Sequence, residues 1–125
     1  MGAETTKSLL VVDDNRDAVT ILQRLLQLKG YAVQSCFDGP AGLAMAERLQ
    51  PDGILLDLAM PGMDGFSLCQ AIRARPWGAR LLLIALSGYS SMADQQRSQA
   101  AGFDLHLTKP VDFAALTRLL NERLG

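Results

Sequence analysis

Length, composition and charge narrow the classes of protein to which this chain can belong. The sequence has 125 residues, of which 49% are hydrophobic and 20% are charged. These values fit one folded domain with a full apolar core and exclude a largely disordered chain. The 12 basic and 13 acidic residues give a net charge of -1, which argues against a nucleic-acid-binding protein, because such proteins usually carry a basic face.

The cysteines, the histidine and the apolar runs exclude further classes. Cys36 and Cys69 are far apart in apolar surroundings, which predicts buried free thiols in a reducing compartment. A single histidine, His106, excludes a multi-histidine metal centre. The N-terminus lacks the apolar core of a signal peptide, and the longest apolar run, 81–86, is too short to cross a bilayer. We therefore expect a soluble cytoplasmic protein.

Five strand-sized runs alternate with amphipathic segments along the chain. The predicted strands are residues 8–12, 31–36, 53–56, 81–86 and 103–107. Several of these runs are almost entirely apolar, which is typical of strands that helices cover on both faces. Strict alternation of strands and helices predicts an α/β fold, a doubly wound five-stranded parallel sheet with helices on both faces.

Apolar spacing and end signals predict the helices between these strands. Asn15 and Asp112 are expected to cap the first and last helices. The second helix should span about 40–49, with Asp38 near its start. Gly30 should end the first helix, and the third should stop before Pro76. The expected apolar faces are Ala18, Ile21, Leu22, Leu25 and Leu28 in the first helix, Leu68, Cys69 and Ile72 in the third, and Phe113, Leu116, Leu120 and Leu124 in the last.

The fourth predicted helix, about 90–101, has little apolar surface to bury. Its expected inward stripe consists only of Met92, Ala93 and Ala100. Because small side chains bury little area, this helix should be held more weakly than the others. It is either an ordinary polar surface helix or an element that shifts in function.

Polar residues end four of the predicted strands. Asp13 and Asp14 follow the first strand, Asp57 the third, Ser87 the fourth and Lys109 the fifth. In doubly wound folds, ligands bind at this carboxyl edge of the sheet. The topology should therefore bring three carboxylates, a hydroxyl and an ammonium together, although each residue taken singly could be a helix cap or a surface charge.

Crowded carboxylates repel one another unless a cation lies among them. A site with oxygen ligands only suits Mg²⁺ rather than Zn²⁺, and Mg²⁺ usually completes its shell with water and substrate phosphate. Asp57, on a buried strand before the Pro/Gly-rich loop 59–65, is the favoured nucleophile and would form an acyl phosphate. Lys109 would neutralise phosphoryl oxygens, and Ser87 would donate a hydrogen bond to one of them.

Motifs along the chain resemble the receiver domain of two-component response regulators. They are LLVVDDN at 9–15, DGPAGL at 38–43, PDGILLDLAMPGMDG at 51–65, ALSG at 85–88 and AGFDLHLTKPVD at 101–112. The resemblance runs almost end to end, and LLDLAMPGMDG is its most specific part. It implies a flavodoxin-like strand order 2-1-3-4-5, a receiver domain at 8–125 and an N-terminal tail at 1–7.

The resemblance implies a role for each residue of the site. Asp57 would accept a phosphoryl group from the phosphohistidine of a histidine kinase or a histidine phosphotransfer protein. Asp14, Asp57 and the backbone carbonyl of Ala59 would bind Mg²⁺ directly, and Asp13 would assist through water. Lys109, expected to precede a cis peptide bond to Pro110, would pair with the phosphoryl oxygens. Ser87 would supply the hydroxyl that moves toward the phosphate.

The resemblance also implies a switch without dedicated enzymatic turnover, beyond self-phosphorylation and slow dephosphorylation. Because the fourth helix is weakly anchored, we expect phosphorylation to reposition loop 88–89 and this helix. We also expect an output partner to dock on helix four, strand five and helix five, near Gln95 and Arg118. The phosphodonor would dock on helix one, near Arg16 and Val19.

His106 stands where the family usually has tyrosine or phenylalanine, which leaves its part in switching open. The segments SGY and FDLHLTKP resemble receivers attached to hybrid histidine kinases.

Other functional classes share single features with this sequence. A flavin-binding protein has the same fold class, but Asp13 and Asp14 would repel the flavin phosphate. A hydrolase with an aspartate nucleophile would normally need a second acid at the position of Ala59. A histidine phosphotransfer domain would place its histidine on a helical bundle, whereas His106 lies in a strand-like run. A degenerate receiver that no longer accepts phosphate would lack some of the site residues, all of which are present here.

Overall fold

The strands form one parallel sheet, which confirms the predicted fold class. The computed structural model of the chain describes residues 6–88 and 91–125, so most of the predicted tail lies outside the described residues. The strand order is β2-β1-β3-β4-β5, as the resemblance implied. The strands are β1 (Ser8–Val12), β2 (Ala32–Cys36), β3 (Gly53–Asp57), β4 (Leu82–Ser87) and β5 (Leu105–Thr108).

The helices begin where polar side chains bind free backbone N–H groups. Asn15, Asp38, Asp64, Ser91 and Asp112 each accept a hydrogen bond from the N–H three residues further along. The predicted caps of the first and last helices are thereby confirmed. The helices are α1 (Arg16–Leu28), α2 (Gly39–Leu49), α3 (Gly65–Arg73), α4 (Met92–Ala101) and α5 (Phe113–Leu124), with a short 3-10 helix at Pro76–Gly78.

The apolar side chains form two layers, one on each face of the sheet. Because successive strand residues point to opposite faces, Leu9 and Val11 pack under α1 and α5, whereas Leu10 and Val12 pack under α2, α3 and α4. Both predicted buried thiols are confirmed, and burial raises the pKa of the Cys69 thiol to about 11. Within the described segments, no helix has both the length and the apolar character required to cross a bilayer.

The predicted inward face of α1 is partly wrong. Val19 and Leu26 are the residues that α1 buries, whereas Ile21, Leu25 and Leu28 are 61%, 37% and 83% exposed. The helix has apolar residues on two adjacent rows, and periodicity alone did not distinguish the row that packs on the sheet. An apolar strip therefore remains on the outer side of α1.

The predicted stripe of α4 is wrong as well. Met92, Ala93 and Ala100 are exposed, and the helix buries Ser98 and Ala101 instead. A helix with so few apolar residues carries no pattern strong enough to fix which side faces the sheet. Residue 90, the predicted first residue of this helix, lies outside the described part of the chain.

Arg73, at the end of α3, joins four segments of the chain. Its guanidinium donates to the carbonyl of Gly102 at 2.9 Å and to the carboxylate of Asp104, also at 2.9 Å. It further donates to the carbonyls of Gly78, Ala79 and Leu81. Because the side chain is only 19% exposed, these bonds are largely shielded from water. Arg73 thus fixes the C-terminal end of α4 and the approach to β4 and β5.

We expect Arg73→Ala to lower the free energy of unfolding by about 2–3 kcal/mol, because buried carbonyls would lose a charged donor. Arg75→Ala, which removes an exposed ion pair with Glu47, is the matched control and should cost about 0–1 kcal/mol. Urea unfolding of both variants measures the difference. Equal losses would contradict the assigned role of Arg73.

Candidate functional site

Two adjacent strands bring the predicted carboxylates together. Asp13 follows β1 and Asp57 ends β3, and the register pairs the residues before them, Val12 and Leu56. One oxygen from each of Asp13, Asp14 and Asp57 lies within 4.8 Å of the others. Asp13 and Asp57 are 3% and 5% exposed, whereas Asp14 faces solvent. The site is therefore a partly buried acidic cluster that is open on one side.

Lys109 supplies the positive charge of this cluster. It follows β5, and its backbone N–H donates to the Ser87 carbonyl at 2.7 Å. Its Nζ donates to Asp13 Oδ2 at 2.8 Å and lies 3.4 Å from Asp57 Oδ1. The peptide bond between Lys109 and Pro110 is cis, as predicted. The ammonium thus contacts both buried carboxylates.

Backbone groups also orient the two buried carboxylates. The N–H of Asn15 donates to Asp13 Oδ1 at 3.0 Å, and the N–H of Ala59 donates to Asp57 Oδ1 at 3.2 Å. Gly65 allows the loop after β3 to fold back closely, because a Cβ at this position would overlap the Asp57 carbonyl oxygen. These contacts fix the side chain of Asp57 before any ligand is bound.

The electrostatics of the site disfavour the ionised form of Asp57, although this form still predominates at neutral pH. Burial and the neighbouring charge of Asp13 raise the pKa of Asp57 to about 6, although the Ala59 N–H and the Lys109 ammonium act in the opposite direction. Burial alone would lower the pKa of Lys109, but the hydrogen bond and charge of Asp13 and the charge of Asp57 raise it. The lysine therefore stays charged, and the cluster retains an excess of negative charge.

Ser87 lies on the strand next to Asp57. It is the last residue of β4 and only 6% exposed. The register aligns Asp57 with Leu86, so Ser87 is one residue further toward the carboxyl edge. The structure thus assembles Asp13, Asp14, Asp57 and Lys109 directly, with Ser87 on the adjoining strand and the backbone of Ala59 bonded to Asp57.

The donor set fits a small hard cation. Three carboxylates at one sheet edge offer oxygen ligands only, and one of the three is exposed. Magnesium usually binds one or two protein carboxylates and retains water or substrate oxygens, which requires such an open side. The raised pKa of Asp57 follows from its burial and from the charge of Asp13, and a bound cation would act in the opposite direction.

A cleft that the sequence analysis did not foresee adjoins this site. It has a volume of about 310 Å³ and extends from Asp13 and Lys109 to Ile21 and Leu25 of α1. The apolar spacing of α1 predicts a face packed on the core, and periodicity alone does not show that part of it lines a cleft. The exposed apolar strip of α1 therefore begins beside the acidic cluster.

Comparison with known proteins identifies the family. Residues 9–121 match the family model described as the response regulator receiver domain. The chain is 38% identical over 104 residues to the response regulator PleD of Caulobacter vibrioides, an alignment that covers 83% of this chain. The chain spans 23% of the length of PleD, so the match concerns one part of that relative.

Two solved structures are similar over nearly the whole chain. The receiver domain of the sensor histidine kinase PA1611 from Pseudomonas aeruginosa PAO1 is 34% identical, has a TM-score of 0.88, and aligns over 97% of this chain and 99% of its own. It has a magnesium ion coordinated in its active site cleft. The chemotaxis protein CheY4 of Vibrio cholerae is 28% identical, has a TM-score of 0.90, and aligns over 95% of this chain and 99% of its own.

We expect Asp57→Asn to stabilise the metal-free protein by about 1–3 kcal/mol near neutral pH, because the buried charge is removed. The folded-state pKa of about 6 lies above the ordinary value of 3.8, so the wild type loses stability as pH rises through that range. The advantage of the variant should therefore shrink as pH falls. Urea unfolding in EDTA at about pH 7.5 and about pH 5 measures this change.

Magnesium should act in the opposite direction on the difference in stability between the two proteins. A cation among the carboxylates stabilises the folded wild type by mass action, and Asp57→Asn has lost one of the ligands. Addition of Mg²⁺ should therefore raise the free energy of unfolding of the wild type more than that of the variant. An equal response would argue against a cation site at this cluster.

Proposed function

The chain belongs to the family of response regulator receiver domains, and we propose that it is the phosphoacceptor switch of a two-component phosphorelay, with Asp57 as the acceptor. The observation that carries the proposal is the convergence of Asp13, Asp14 and Asp57 beside the ammonium of Lys109. Such a switch is a signalling component rather than a dedicated enzyme. The receiver domain would comprise residues 8–125, preceded by the tail 1–7.

In the proposed reaction, Asp57 attacks the phosphorus of a phosphohistidine. A new bond forms between a carboxylate oxygen and phosphorus, the phosphorus–nitrogen bond breaks, and histidine leaves with its electron pair. The hydrogen bond from the Ala59 N–H to Oδ1 supports this role, because it orients the carboxylate before the donor arrives. The product is an acyl phosphate on the sheet edge.

We propose that Asp13, Asp14, Asp57 and the backbone carbonyl of Ala59 form the magnesium site, with Asp13 acting through water. Bound Mg²⁺ would neutralise charge on the phosphoryl oxygens and reduce their repulsion from the acidic cluster. The oxygen-only donor set supports this assignment, as does the ion in the cleft of the PA1611 receiver domain.

Lys109 and Ser87 would contact the transferred group. Nζ of Lys109 lies 3.4 Å from Asp57 Oδ1, so a small movement of the ammonium would bring it to a phosphoryl oxygen. Ser87 ends the neighbouring strand, from which its hydroxyl could donate to another of these oxygens. We propose that this contact draws Ser87 toward the phosphate and that α4, β5 and α5 form the face that changes for an output partner.

The phosphodonor would be a histidine kinase or a histidine phosphotransfer protein, and we propose that it docks on α1. The apolar strip of Ile21, Leu25 and Leu28 supports this choice because it is exposed. Val19, which was predicted to lie near this surface, is instead buried in the core, so that part of the prediction is wrong. The cleft between α1 and Lys109 extends from this strip to the acidic cluster. A partner seated there could present its phosphohistidine to Asp57.

Acetyl phosphate with Mg²⁺ tests the acceptor directly. We expect intact mass spectrometry to detect one added phosphoryl group on the wild type and none on Asp57→Asn. Asp17→Asn, which removes an exposed carboxylate from the first turn of α1, is the matched control and should be modified normally. Labelling of Asp57→Asn to the same extent as the wild type would contradict the proposal.

The docking surface is tested by a charged substitution on α1. We expect Ile21→Glu to slow phosphoryl transfer by about ten-fold or more, because a carboxylate would face an apolar interface. The donor is the fastest of a panel of purified histidine kinases, each autophosphorylated with ATP. Met92→Glu on α4, at a residue that is 76% exposed, is the control.

Acetyl phosphate labelling should be the same in all three proteins, which separates a docking defect from a damaged acceptor. Slower transfer in Met92→Glu than in Ile21→Glu would place the donor surface elsewhere.

A further inference from the structure

The fourth helix is attached to the sheet very unequally along its length. Its C-terminal end is held by Ala101, whose carbonyl accepts from Cys69 Sγ at 3.4 Å, and by the bond from Arg73 to the Gly102 carbonyl at 2.9 Å. The only other residue of α4 that is buried is Ser98. The first two turns of the helix therefore bury no apolar side chain of their own.

Ser98 is an unusual residue for the position it occupies. Among the described residues, four polar side chains are buried: Asp13, Asp57, Ser87 and Ser98. The first three belong to the acidic cluster or the strand end beside it. Ser98 lies away from them, on the inner side of α4, and is only 1% exposed. A buried hydroxyl needs a partner, because loss of its hydration would otherwise destabilise the fold.

His106 on β5 provides that partner. Its Nδ1 lies 2.9 Å from Ser98 Oγ, and Ser98 Oγ also lies 3.0 Å from the carbonyl of Gln95. The Gln95 carbonyl can only accept, so the hydroxyl of Ser98 donates to it and accepts from the Nδ1–H of His106. This assignment gives the hydroxyl of Ser98 one acceptor and one donor.

The strand register connects this pair with the phosphoacceptor edge. His106 pairs with Ala85, and two residues further along Thr108 pairs with Ser87. The same strand therefore contacts Ser87 at its end and α4 through His106. In the middle of α4, the guanidinium of Arg97 lies 3.9 Å above the ring of Phe66, and this contact joins α4 to α3 rather than to the sheet.

We propose that the Ser98–His106 hydrogen bond is the positioning contact that holds the N-terminal turns of α4 on the sheet. The helix opens when this bond breaks, while its C-terminal end stays attached through Ala101 and Arg73. His106 is thus a positioning residue for the conformational change, and the polar bond replaces the apolar contact that α4 lacks. The inference rests on the proposed function only in the step from opening of α4 to signalling.

Hydrogen exchange of the full chain tests the proposal without phosphorylation. We expect Ser98→Ala to speed exchange of the amides at 95–98 by about five- to thirty-fold, which is the effect of losing one or two kcal/mol of local stability. Exchange at 101–103 should change by less than about two-fold, because Arg73 still holds that end. His106→Phe should speed exchange at 95–98 as Ser98→Ala does. The double variant should exchange little faster than either single variant, because both remove the same bond.

Two further variants separate positioning from general destabilisation. His106→Asn keeps a polar atom near the position of Nδ1 and should restore slow exchange. Gln96→Ala, at an exposed position on the same helix, is the control and should leave exchange unchanged. The ¹⁵N shifts of the imidazole should assign a protonated Nδ1 in the wild type and a different signature in Ser98→Ala.

Exchange of Ser98→Ala within about two-fold of the wild type at 95–98 would overturn the proposal, and so would equal acceleration along the whole helix. Acetyl phosphate labelling of the same variants is measured separately. Unlabelled wild type with fast exchange in Ser98→Ala would reject the phosphoacceptor function and leave the positioning role intact. Normal labelling of the wild type together with unchanged exchange in Ser98→Ala would reject the positioning role and leave the phosphoacceptor function intact.

Discussion

The burial of two carboxylates beside one ammonium is the constraint on which the rest of this structure depends. Asp13 and Asp57 are almost completely shielded from water, yet they lie close enough for one to raise the pKa of the other. Lys109 reduces this repulsion but cannot cancel two negative charges and the exposed charge of Asp14. The fold therefore maintains a local excess of charge that a cation, or a ligand bound with one, would relieve.

The sheet is what makes this arrangement possible. Parallel strands end at a common edge, and their apolar residues are packed on both faces, so the backbone at the acidic cluster has little freedom to relax. The cost of crowding the charges is offset by burial of the strands beneath them. The same rigidity keeps the Asp57 side chain in one orientation. Its Oδ1 accepts a hydrogen bond from the Ala59 N–H before any partner arrives.

Much of this organisation could be predicted from the sequence, because the informative signals were local. The runs around β1 and β3 are apolar on both faces, and Asn15 and Asp112 have the chemistry of helix caps. The approach of the three carboxylates to Lys109 followed from the strand ends. The roles of these residues in phosphoryl transfer and metal binding remain predictions.

The features that the sequence analysis missed depend on contacts between distant segments. The apolar residues of α1 form two rows, and only the packed sheet distinguishes Leu26, which is buried, from Leu28, which is exposed. The hydrogen bonds of Arg73, and the bond between Ser98 and His106, join different segments of the chain. No repeating pattern in the sequence indicates that these segments meet. Such contacts follow from tertiary packing rather than from local propensity.

The attachment of α4 at one end has a geometric consequence. A ten-residue helix fixed near Gly102 can be displaced only by pivoting, so the displacement grows in proportion to distance from that end. With a rise of 1.5 Å per residue, Met92 lies about 15 Å from the pivot, and a rotation of about 10° would carry it roughly 2.6 Å. A shift of about 1 Å where His106 contacts Ser98 would in this way be amplified into a movement of the N-terminal end large enough to change the outline of the molecular surface.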